Sequence, residues 1–131
     1  MTAQTAHVLI IDDEIPISQL LQEALEGEGY AVETACNGRQ GVERARSAHY
    51  DLVLTDLSMP DMSGWDVIEQ ILAHSPQMPI ILVTGWGAEL DQERVEASGC
   101  RAVVQKPFEI LELFATAERI LGEKRRPQPV G

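Results

Sequence analysis

"DLVLTDLSMPDMSG" (residues 51–64) decides how the chain folds. An apolar run, Leu52-Val53-Leu54, stops at Thr55-Asp56, and a turn built from Met59-Pro60 and Gly64 follows at once. Apolar on both faces and only about five residues long, 51–55 reads as a strand buried from both sides. Such strands belong to parallel sheets covered by helices, and ligands in such sheets bind beyond the carboxyl ends of the strands. Asp56 stands at such an end.

The flanking sequence repeats the alternation. "HVLII" (7–11) and "MPIILVT" (78–84) are further buried strands, "YAVETA" (30–35) has one exposed face, and "RAVVQ" (101–105) is a short strand. Helices fall between them. The first, in "PISQLLQEALEGEG", places 17, 20, 21, 24 and 25 on one apolar face and ends at Gly27 and Gly29. "NGRQGVERARSAH" (37–49) is a polar helix with a thin apolar face. Residues 64–74 turn Val67, Ile68, Ile71 and Leu72 inward. "AELDQERVEASG" (88–99) has only Leu90 and Val95 as strong anchors. "EILELFATAERILG" (109–122) carries 110, 113, 114, 117, 120 and 121 on one face. Five strands and five helices joined by short connections predict one α/β domain over 1–122, with helices on both sides of a parallel sheet. Residues 123–131, "EKRRPQPVG", read as a polar tail or linker stub.

Composition narrows the function. At 131 residues and 44% apolar, the chain suffices for one core and is not disordered. With 21 acidic against 10 basic residues the net charge is −11, which argues against nucleic acid and against an anionic membrane surface as partners of this domain. No run approaches the roughly 20 apolar residues of a membrane span, and "MTAQTAHV" lacks the features of a signal peptide. Cys36 and Cys100 match no metal spacing and are expected to be reduced thiols, consistent with a cytoplasmic protein.

The strand ends carry the chemistry. Asp12-Asp13-Glu14 follow the first strand, Asp56 the third, Thr84 and Gly85 the fourth, Lys106-Pro107 the fifth. In a sheet ordered 2-1-3-4-5 these ends would be neighbours. Crowded carboxylates repel, and one would have its pKa raised unless a hard divalent cation relieved the conflict. Mg²⁺ takes oxygen ligands and keeps several waters, which suits one or two carboxylates plus a phosphate. A carboxylate beside it is a nucleophile for phosphorus, and a lysine and a threonine are suitable donors to phosphoryl oxygens.

Four motifs, "DDE" (12–14), "D-x-x-M-P-x-x-x-G" (56–64), "VTG" (83–85) and "KPF" (106–108), each follow their own strand. Together they make residues 7–122 resemble the receiver domain of two-component response regulators, chemotaxis-regulator-like. The resemblance implies a flavodoxin-like three-layer sandwich with strand order 2-1-3-4-5. It implies Asp56 as phosphoacceptor, with a histidine kinase or histidine phosphotransfer protein as donor. It gives Asp13 as direct Mg²⁺ ligand, Asp12 as holder of a metal-bound water, and Ser58 as donor of its backbone carbonyl to the metal. Thr84 would bond the phosphoryl group, and Lys106 would pair with Asp56 before phosphorylation and with the phosphate after it. It also implies a cis Lys106-Pro107 bond. Such a domain catalyses its own phosphorylation and dephosphorylation and is not otherwise an enzyme.

Plainer readings exist for each residue. Asp12 or Asp13 are ordinary helix caps in isolation, Asp56 a turn residue, Thr84 a strand end, Lys106 a solvated lysine; the four motifs together outweigh them. Gly64 is read as a backbone requirement and Trp65 as helix packing rather than partner contact, while Trp86, in a loop near the site rim, reads equally as a gate or contact near the phosphate and as local packing. His7, His49 and His74 lie at no carboxyl strand end. One departure stands out: the position three before the lysine, which resembles the family's inward-swinging Tyr or Phe, is Val103. Switching is therefore expected through Thr84, the 85–89 loop and the weakly anchored helix after it. The 84–105 surface would meet a downstream protein. Two competing functions are weaker. A receiver that docks without phosphate rests on Val103 alone. An aspartyl-nucleophile Mg²⁺ phosphohydrolase needs an acid where Ser58 stands. "DDEIP" is acidic where a dinucleotide-binding turn would be glycine-rich.

Overall fold

The computed structural model describes residues 5–85, 90–107 and 109–125, with side chains as far as 122. Trp86, Phe108 and 126–131 lie outside the described residues.

The elements run β1 (His7–Ile11), α1 (Ile15–Gly27), β2 (Ala31–Ala35), α2 (Gly38–Ser47), β3 (Leu52–Asp56), α3 (Gly64–His74), β4 (Ile80–Thr84), α4 (Gln92–Ser98), β5 (Ala102–Gln105) and α5 (Ile110–Arg125). All strand pairs are parallel and the order is β2-β1-β3-β4-β5, as the motif resemblance implied. Alternating side chains of β1 divide the core. Val8 and Ile10 join Leu21 and Leu25 of α1 and Leu113, Ala117 and Ile120 of α5. Leu9 and Ile11 join Val42 and Ala45 of α2 and Val67, Ile68 and Ile71 of α3. Helices thus cover both faces, because a strand apolar on both sides is stable only between two layers.

Local chemistry sets the helix starts. Pro16 lies in the first turn of α1, where a missing N–H costs nothing. Asn37 accepts from the Gln40 N–H at 2.8 Å, and Ser63 accepts from Asp66 N–H at 3.3 Å, each satisfying one free donor of a first turn. α4 ends at Gly99, whose φ of +86° is a left-handed conformation glycine adopts without strain.

The structure departs from the sequence pattern in three places. Leu20, expected inside, is 50% exposed, while Ser18 is buried and its hydroxyl donates to the Ile15 carbonyl. A helical stripe fixes a direction but not its width: 18, 21 and 25 are buried and Ile17 packs partly against the same core. α4 begins at Gln92 rather than 88 because Asp91 caps it, accepting from Glu93 N–H; none of its residues is buried. α5 continues past Gly122 to Arg125. Among the described residues no helix is long and apolar enough to cross a membrane, and Cys36 and Cys100 are both free thiols.

Candidate functional site

The strand register brings the acidic ends together. Ile11 is opposite Thr55, so Asp12 and Asp56 follow one another across the β1–β3 pair. Asp56 is opposite Val83, which puts Thr84 one residue further along β4. Thr84 is in turn opposite Gln105, and the Lys106 N–H donates to the Thr84 carbonyl at 2.8 Å. Neighbouring parallel strands in one order therefore gather onto one rim residues far apart in the chain.

Carboxylate oxygens of Asp12, Asp13 and Asp56 all lie within 4.8 Å of one another. Asp12 and Asp56 are buried and Asp13 is half-buried. Asp12 accepts from the Glu14 N–H at 2.8 Å, and Asp56 from the Leu57 N–H at 2.9 Å. Lys106 Nζ reaches this group from β5, 3.3 Å from Asp12, 3.5 Å from Asp56 and 3.1 Å from Glu14. The expected Lys106–Asp56 pair is thus present, but shared among three carboxylates. Glu14 was not singled out beforehand; its only signal is being the third acid of "DDE". The Lys106-Pro107 bond is cis.

Electrostatics follow from burial. Desolvation pushes the Asp56 carboxyl above its usual range; Lys106 offsets part of this, and the Asp12 charge adds to it. Desolvation likewise raises Asp12 against the Glu14 N–H and Lys106. Burial alone would lower Lys106, but Glu14, Asp12 and Asp56 together raise it, so it stays charged. Three clustered carboxylates and one ammonium leave excess negative charge in a partly dry cup. That donor set fits a hard, oxygen-seeking dication such as Mg²⁺.

Beside the cup runs a groove of about 550 Å³ lined by Asp13, Leu57, Ser58, Met59, Pro60, Ser63 and Trp65. Ser58 is exposed there, so the expected metal-side residue borders the same space as Asp13. Gly64 sets the shape of this loop. A Cβ at position 64 would sit 2.5 Å from the Asp56 carbonyl oxygen and 2.8 Å from Leu57 Cα, and the Gly64 N–H donates to the Leu57 carbonyl at 2.7 Å. The start of α3 therefore rests directly on the backbone of Asp56 and Leu57. Thr84 is fully buried at the end of β4. Val103 is half-buried, opposite Leu82, against the α2–α3 side of the core. Trp86 falls outside the described residues.

A family model described as the response regulator receiver domain matches residues 8–118. The uncharacterized transcriptional regulatory protein YkoG of Bacillus subtilis (strain 168) is 38% identical over 112 residues, 86% of this chain and 49% of YkoG. The chain thus spans about half the length of that relative. A CheY-like response regulator receiver domain protein from Methanospirillum hungatei JF-1 superposes with a TM-score of 0.88 at 29% identity, over 92% of this chain and 97% of that one. The response regulator TrrA from Thermotoga maritima, solved in complex with Mg²⁺ and BeF, gives a TM-score of 0.79 at 33% identity, over 88% and 99% of the two chains.

Proposed function

The chain belongs to the response regulator receiver domain family, and on that footing we propose that Asp56 is its phosphoacceptor in two-component signalling. The carrying observation is the convergence of three carboxylates within 4.8 Å with an ammonium 3.5 Å from Asp56. The donor is a phosphohistidine on a histidine kinase or histidine phosphotransfer protein. An Asp56 carboxylate oxygen attacks phosphorus, the P–N bond breaks, the imidazole leaves with its electron pair and takes up a proton, and an acyl phosphate forms. Mg²⁺ would be held by Asp12, Asp13, Asp56 and the Ser58 carbonyl, and supplies charge neutralisation for the phosphoryl oxygens. TrrA's complex with Mg²⁺ and BeF supports that ion. Lys106 is already within reach of the acceptor and donates to the new phosphoryl oxygens, with the Thr84 hydroxyl as second donor.

The α1 side of the rim suits the phosphodonor. Ile17, Leu20, Lys106, Pro107 and Ile110 line a depression of about 350 Å³, where Leu20 stands half exposed. An apolar helix face seated there would deliver a phosphohistidine next to Lys106. The response leaves through the 84–105 surface to a downstream protein; α4, with no buried residue, is a weakly anchored part of it. The acyl phosphate carries about −1.5 to −2 where the carboxylate carried a single negative charge, so the local charge grows by roughly half to one unit.

The test is incubation with acetyl phosphate and Mg²⁺, read by intact mass. Wild type should gain one phosphoryl group and Asp56→Asn none. An unmodified wild type, or equal gain in the variant, overturns the reading.

A further inference from the structure

Trp65 stands between two cavities. One side of it closes the groove that holds Asp13, Ser58 and Met59. The other lines a cleft of about 510 Å³ between α3 and α4, together with Asp66, Glu69, Leu72, Arg94 and Ser98. The Arg94 guanidinium lies over the Trp65 ring, 4.9 Å from its centroid, within the range of a cation–π contact.

The two ends of α4 are held unequally. At its C-terminal end, the Gly99 position closes against Leu72: a Cβ there would meet Leu72 Cδ1 at 2.8 Å. Between the ends the cleft is open and no α4 residue is buried. Among the described residues, the Arg94–Trp65 contact joins the first turns of α4 themselves to α3, and Leu90, just before the helix, packs on the same side of the core. Trp65, in turn, directly follows Gly64, whose main chain rests on the backbone of Asp56 and Leu57 with no side chain between them. A shift of the 56–58 turn has no compressible layer to absorb it before it reaches the indole.

We propose that the Trp65–Arg94 stack couples the phosphorylation site to α4. A change in the 56–58 turn moves the start of α3, the ring moves with it, and Arg94 carries the displacement into α4. The route runs along the α3 side of the sheet and needs no aromatic on β5, where Val103 has none to swing. It rests on Asp56 being the phosphoacceptor and specifies how that event is read out.

The experiment compares amide spectra of the full chain with and without Mg²⁺ and beryllofluoride. Wild type should change at 12–13, 56–58 and 84, and also across 92–98. Arg94 is exposed, so Arg94→Gln should fold normally, accept phosphate from acetyl phosphate as wild type does, and keep the changes at 56–58. Its response across 92–98 should fall about two- to fivefold, the population shift an exposed cation–π contact supports. Arg94→Lys, which keeps a cation over the ring, should restore it, and Trp65→Leu should lose it. A wild-type-sized response across 92–98 in both Arg94→Gln and Trp65→Leu overturns the coupling. So does a wild-type response at 56–58 with none at 92–98. No wild-type response at 56–58 overturns instead the phosphoacceptor reading beneath it.

Discussion

Replacing Gly64 by alanine adds one methyl group where the structure has no room. Its three nearest neighbours would be Asp56 O at 2.5 Å, Leu57 Cα at 2.8 Å and Asp56 C at 3.2 Å, all main chain. No rotamer change relieves them, so either the start of α3 or the end of β3 must shift by a large part of an ångström. Overpacking of this kind costs about 1–3 kcal/mol. Alanine's helix preference offsets little of it, since position 64 opens the helix and gains less than the ~1 kcal/mol of an interior site. At ~4 °C per kcal/mol for a chain of this size, the melting temperature should drop by roughly 4–12 °C. The Asp56 carbonyl is one of the atoms that must move, so phosphorylation by acetyl phosphate should slow as well. Gly122 supplies the control. It lies within α5, and a Cβ there meets nothing within 4 Å. The same substitution should stabilise by about 0.5–1 kcal/mol and leave phosphorylation unchanged. Thermal unfolding and intact mass after a fixed exposure to acetyl phosphate give both numbers. A Gly64→Ala protein as stable and as rapidly phosphorylated as wild type would refute the claim that α3 is seated on the Asp56 backbone.

Saturating Mg²⁺ should raise the melting temperature, by roughly 11 °C at a hundredfold excess over the dissociation constant, and Asp13→Asn should abolish most of the gain in a thermal shift assay. Lys106→Met removes the ammonium that lowers Asp56 and Asp12, so their carboxyls should titrate at higher pH than in wild type, followed by carboxyl carbon NMR; an unchanged Asp56 titration would contradict the 3.5 Å pairing. Asp61 accepts from the Gly38 and Arg39 N–H groups at 3.0 and 2.9 Å, and the Arg39 bond above all holds its carboxyl below the usual range. Because the folded value is depressed, this contribution is present above the unfolded carboxylate pKa of ~3.9 and fades as pH falls through the folded value. Denaturation midpoints followed from pH 5 to 2 should therefore fall less steeply in Asp61→Asn than in wild type.

Much of this was legible in one dimension. Strands such as 7–11 and 51–55 are short and apolar on both faces, which dictates two helical layers over a parallel sheet. Once that is known, the carboxyl ends of the strands are the place to look, and Asp12, Asp13, Asp56, Thr84 and Lys106 are the residues that stand there. The motif resemblance supplied the strand order; the periodicities alone did not, since each strand's pattern says it is buried but not beside which neighbour. Other features had no local signature. Leu20 has the spacing of a core residue and lies outside because the packing of α1 on β1 and α5 takes a narrower stripe. Lys106 divides itself among Glu14 and Asp12, more than 90 positions away, and Asp56, a sharing that only the closed sheet creates.

The sequence by itself determined the layered α/β class and which residue types meet at the strand ends, because burial pattern and strand position are properties of short windows. The tertiary structure alone decided how those residues divide their contacts and where Trp65 stands. The indole's two neighbours, the groove beside Asp13 and the guanidinium of Arg94, come from segments separated in sequence. They are brought together by the close seating of Gly64 on Asp56 and by the placement of α4 beside α3.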